Sequence, residues 1–115
     1  MKKVVYEIDL STKLVDFDNE PLMYVKNGSE FPYTVRKVFC DILLMQQSEK
    51  IGDHEKIECY DLAKAIHKHT EPTMKLKASE WATIKQLLKK FSSTLISGQM
   101  RDIMEGIPQT TIDVE

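Results

Sequence analysis

Apolar residues return at intervals of three and four through the second half of the chain. Between Leu76 and Phe91 the bulky ones are Trp81, Ile84, Leu87, Leu88 and Phe91. They form a single stripe that must face a core, which predicts a helix over about 79–91. Ser79 suits the N-cap and Glu80 the positive end of the helix dipole, while Lys85, Lys89 and Lys90 fall toward the opposite end. Ser92-Ser93-Thr94 then competes for helical hydrogen bonds and marks a fresh start. Leu95, Ile96, Met100, Ile103 and Met104 make a second stripe, predicting a helix over 93–105 that Gly106 and Pro108 close. Gly98 lies inside it, where glycine costs about 1 kcal/mol relative to alanine. A close approach of another element at Gly98, within the chain or from a second copy, is the expected reason.

The first half divides differently. Val4, Val5, Tyr6 and Ile8 read as a strand, and Leu14-Val15-Asp16-Phe17 as a second, so a β-hairpin over 3–17 is expected. Leu22 to Val25 adds a short strand before Asn27-Gly28, a strong turn signal. Thr34 opens a helix over 34–47 whose stripe is Val35, Val38, Phe39, Ile42 and Met45. Asp53 caps another, 53–70, with Ile57, Tyr60, Ala63, Ile66 and His67 as its stripe, ended by Glu71-Pro72. Residues 73–76 read as an extended link and 107–115 as a flexible tail. The expected fold is thus α+β, mainly α: one domain over 1–106, an N-terminal hairpin packed on about four helices.

The remaining composition narrows the function more than it names it. One hundred and fifteen residues suffice for a single core without staples. No run is long and apolar enough to span a membrane and no leader pattern is present, so a cytoplasmic protein is expected. Cys40 and Cys59 fit free thiols in a reducing compartment. His67 and His69 stand two apart, whereas paired helical ligands need three or four, and no C-x-x-C exists, so no metal or other cofactor is expected. Neither a nucleophile elbow nor a glycine-rich phosphate cradle is present, and the carboxylates are dispersed; an enzyme is not expected. A hydrolase or metalloenzyme would need His67, His69 or Cys59 brought to distant acids by the fold.

Charge is unevenly spread. Residues 64–90 carry a net +5, against −4 for residues 1–63 and −3 for 91–115. Lys64 and Lys68 share one helix face and Lys85 and Lys89 another, with Lys75 and Lys77 on the link, which makes a small nucleic-acid-binding regulator the alternative reading. Only two arginines, no aromatic among the lysines, and a connection too long for a helix-turn-helix stand against it.

Short phrases run through the chain: Asp16-Phe17-Asp18-Asn19-Glu20-Pro21-Leu22, Leu62-Ala63-Lys64-Ala65-Ile66, Ile84-Lys85, and Gly98-Gln99-Met100-Arg101-Asp102-Ile103-Met104-Glu105. In these, over nearly its full length, the chain resembles a group of small accessory proteins encoded by tailed phages and prophages. Lys77 stands where that group usually has Ser or Thr, and the Ser92-Ser93 pair replaces its proline. The resemblance implies a non-enzymatic factor in a bacterial host's cytoplasm that acts on a phage or host protein in assembly or host modulation; it implies no ligand or cofactor. Gly98, Gln99 and Met100 are the expected contact residues, and a homodimer is consistent with the glycine.

Overall fold

The computed structural model describes residues 2–44 and 53–113. Its elements run β1 (Lys2–Asp9), β2 (Met23–Lys26), β3 (Ser29–Pro32), α1 (Val35–Leu44), α2 (Asp53–Lys68), β4 (Thr73–Lys77), α3 (Ala78–Phe91), α4 (Thr94–Glu105) and β5 (Thr110–Asp113). The fold is α+β, four helices with a small antiparallel sheet. The expected extension of the first helix to Gln47 lies outside the described residues.

β1 is the middle strand of the sheet, and this overturns the 3–17 hairpin. It pairs antiparallel with β4 on one side, Tyr6 opposite Leu76 and Ile8 opposite Met74, and with β5 on the other, Lys3 opposite Ile112. The residues read as a link and the end of the presumed tail are therefore its two edge strands. The sheet turns Ile8, Leu76 and, on the same face, Tyr6 toward the helices. Tyr6 stacks on Trp81 of α3 with ring centroids 4.5 Å apart and planes 3° apart. Val5, on the other face, is 3% exposed without joining the main core, flanked in register by Lys77 and Thr110.

Leu14 to Phe17 forms no hairpin with β1 because the backbone of 10–15 is claimed elsewhere. Leu10 N–H donates to Pro72 O (2.7 Å), continuing the β1–β4 ladder. Leu10 and Thr12 carbonyls accept from Arg36 N–H (3.1 Å) and Val35 N–H (2.9 Å), satisfying donors that the first turn of α1 leaves over. Thr34 Oγ accepts from Lys37 N–H at 3.3 Å, so Thr34 caps α1 as expected. The side chains of Leu10 and Leu14 reach the core, fully buried with Val35, Phe39, Ile66, Ile84 and Met100.

α1 and α2 run antiparallel, and small residues set their contact: Cys40 Sγ lies 3.7 Å from Ala63 O. Cys59, Ala63 and Ile66 are buried, while Ile57, Tyr60 and His67 are exposed, so the expected stripe on α2 is rotated. Both cysteines are free thiols, and burial pushes that of Cys40 up. At the end of α2 the Arg36 guanidinium donates to the carbonyls of Ile66 (2.5 Å), His69 (2.6 Å) and Glu71 (3.4 Å). It thereby closes carbonyls the helix leaves open.

The cap of α3 lies two residues before the expected one. Lys77, not Ser79, is its N-cap, and the Glu80 carboxylate turns back to accept Lys77 N–H at 2.8 Å. The break between α3 and α4 falls where the hydroxyl residues predict it: Ser92 Oγ donates to Leu88 O (2.5 Å), and Ser93 Oγ accepts Ile96 N–H (3.3 Å).

Candidate functional site

Two features of the surface invite a partner: a pair of projections near the N-terminus and a groove between α2 and α3. The projections share one base, where Leu14 N–H donates to Tyr33 O, Tyr33 N–H to Leu22 O, and Leu22 N–H to Leu14 O. From this knot one projection is the β2–β3 hairpin. Asn27 and Gly28 form its two-residue turn with φ of 54° and 80°, the left-handed pair that a type I′ turn requires. One face of the hairpin is anchored. Tyr24 stacks on Phe31 (5.7 Å) and meets Tyr33 edge-on (5.8 Å), and Lys37 Nζ sits 4.7 Å from the Tyr24 centroid. Lys37 also pairs with Asp41 (3.0 Å), which accepts the Tyr33 hydroxyl (2.9 Å). Burial, reinforced by the Asp41 carboxylate, pushes the Tyr33 phenol up to about 12.

The second projection is the loop 16–20, closed by a bridge between Val15 and Pro21. The Asp16 carboxylate accepts from Asp18 N–H (2.8 Å) and Glu20 N–H (3.0 Å), an Asx turn that places Asn19 at φ 63°. Phe17 rides on this loop at 96% exposure, and the hairpin adds Val25 (69%) and Met23 (47%) on the face opposite the Tyr24–Phe31 pair. A run of large apolar side chains left uncovered marks an interaction surface more often than an isolated one does.

The groove has a volume of about 590 Å3. Glu55, Glu58 and Asp61 come from α2, and Thr83, Gln86 and Lys90 from α3, with Cys59, Leu62 and Leu87 at the base. Carboxylates outnumber ammonium groups, which disfavours a phosphate there. Among the described residues no group of three or more His, Cys, Asp or Glu is placed to hold a metal ion. His69 is engaged locally, its Nε2 2.6 Å from Thr73 O.

The six lysines are all exposed, and of these only Lys77 lines the groove. Lys85 and Lys89 occupy the flank of α3 away from groove-lining Thr83, Gln86 and Lys90, and Lys75 stands opposite Glu7 across the sheet.

Gly98, Gln99 and Met100 do not form a surface patch. Met100 is fully buried in the core. The Gln99 amide is spent on the loop: its Oε1 accepts Val15 N–H (2.9 Å) and its Nε2 donates to Val15 O. At Gly98 an added Cβ meets nothing within 4 Å, so among the described residues no other element of this chain approaches it. Phe17 and the β2–β3 face are what the sequence reading missed. The signal was present in Phe17 lying between Asp16 and Asp18, too polar a setting for a core strand. No helix among the described residues is long and apolar enough to cross a membrane.

The chain matches no known protein-family model, no curated protein sequence and no solved structure.

Proposed function

We propose that the protein is a non-enzymatic interaction factor of the phage and prophage accessory type, working in a bacterial cytoplasm, and that a protein partner docks on its two projections. The observation that carries this reading is the exposure of Phe17, Met23 and Val25 on elements whose backbones are fixed by hydrogen bonds. An ordered apolar surface binds with little further loss of conformational freedom. The role expected of Gly98, Gln99 and Met100 passes to these residues, because Met100 is buried and the Gln99 amide is bonded to Val15.

The test is affinity capture from bacterial lysate, with and without nuclease, using the wild-type chain and a Met23→Ser/Val25→Ser variant. The reading expects a stoichiometric protein that survives nuclease and is lost with the variant. Recovery that disappears with nuclease would instead assign the function to the lysines.

A further inference from the structure

We infer that the loop 16–20 is an aromatic plug: Phe17 enters an apolar pocket on a foreign protein, and lysine or arginine side chains rim that pocket. This rests on the proposed interaction role and adds the chemistry of the partner.

Three observations converge on the loop. First, Phe17 is presented, not dangling. Its neighbours' amides are held by the Asp16 carboxylate, Asn19 N–H donates to Asp16 O (3.1 Å) and Asp16 N–H to Glu20 O (2.9 Å). The base of the loop is fixed in turn by Gln99 of α4. An exposed aromatic on a backbone already held is the form that interface anchors take, because the ordering of the main chain precedes binding. Second, three carboxylates crowd the ring in sequence, Asp16, Asp18 and Glu20, and none of them is ion-paired with a cation of this chain among the described residues. An acidic rim would repel them and an apolar one would strip their water without return; a basic rim steers the approach and fixes its orientation. Third, the side chains of Asp18 and Glu20 take no part in building the loop, which uses their backbone amides alone. Their charges are thus free for a partner.

A second copy of the chain is the weaker occupant. The small apolar hollow lined by Leu43, Leu44, Lys56, Cys59 and Tyr60 supplies one lysine against three carboxylates.

The experiment places a photo-reactive benzoylphenylalanine at position 17, or in a separate full-length chain at position 25, and irradiates each in bacterial lysate. Adducts are mapped by mass spectrometry and quantified again with Asp18→Lys/Glu20→Lys. Circular dichroism melting verifies that this variant is folded. The expected result is a position-17 adduct on one foreign protein, at an apolar segment flanked by Lys or Arg. Its yield should fall about tenfold on charge reversal, and it should also fall in about 0.5 M sodium chloride. The inference is overturned by an adduct to a second copy or to nucleic acid, by a yield indifferent to charge reversal, or by no adduct at position 17. If position 25 still crosslinks a foreign protein in that last case, the interaction role survives and only the plug is lost. If neither position crosslinks, both readings fail.

Discussion

Replacing Gln99 by alanine tests the central joint of the structure. The amide satisfies both backbone groups of Val15 across 84 residues of sequence, binding α4 to the segment that leads into the Phe17 loop. Alanine leaves an N–H and a carbonyl half-buried and unpaired. An abandoned buried group costs about 1–3 kcal/mol; with partial access of water at this site, about 2–3 kcal/mol for the pair is expected. For a domain of this size that is a fall of about 8–12 °C in melting temperature, read by calorimetry and by the urea midpoint. Gln99→Glu separates the two bonds. The introduced carboxylate still accepts Val15 N–H but cannot donate to Val15 O, and only its protonated form restores the donor. Its folded pKa therefore rises above the ordinary value of about 4.3. The recovered stability is present in acid and lost as pH rises through the folded pKa. A Gln99→Ala variant within about 0.5 kcal/mol of wild type would show that the loop holds without this joint.

Arg36→Ala should cost about 2–3 kcal/mol in urea denaturation, because three carbonyls at the end of α2 lose a charged donor; Arg36→Lys should recover little, lacking the fork that reaches all three. In ultraviolet titration, one tyrosine should ionise late, near 12, and Asp41→Asn should bring it down. Because the folded phenol holds its proton more tightly than the unfolded one, stability conferred by Tyr33 is full below its ordinary pKa of about 10 and is lost as pH rises through 12. Gly98→Ala should raise the melting temperature by about 3–4 °C, since the helix gains up to about 1 kcal/mol and the methyl group meets nothing. A loss of stability there would restore the idea of a close neighbour, and a change in mass by light scattering would place that neighbour in a second copy.

Helices and the tight turn were legible because their signals are local. The three-and-four spacing, the Ser92-Ser93 break and Asn27-Gly28 each specify geometry within a few residues. Strand pairing is not local. The alternation of Thr73-Met74-Lys75-Leu76-Lys77 places Met74 and Leu76 on the core face, yet nothing in it names β1 as the neighbour. The same holds for Thr111-Ile112-Asp113, whose pattern is that of an edge strand and whose pairing with β1 spans the whole chain. On α2 the apolar bulk of Ile57 and Tyr60 drew the stripe to the wrong phase. The buried face consists of Cys59, Ala63 and Ile66, because small side chains let α1 come close. Gln99 reads from the sequence as a surface contact residue, because a polar residue beside a helical stripe ordinarily faces water and its actual partner, Val15, lies in a distant loop.

The segment from Leu10 to Val15 explains why the exposed loop is a fixed turn and not a loose connection. Its backbone is bonded in turn to Pro72 before β4, to the first turn of α1, to Tyr33 and Leu22 at the hairpin base, and to Gln99 on α4. Leu10 and Leu14 anchor it in the core. Every layer of the fold thus contributes to fixing the residues that precede Phe17. Ordering a segment costs about 1–2 kcal/mol per residue in backbone freedom, and here that loss is met during folding. If core formation were all that these bonds served, the ring of Phe17 would be expected to turn inward with its leucine neighbours. Held outward on a pinned turn, it gains nothing for this chain alone; its burial remains available to a partner.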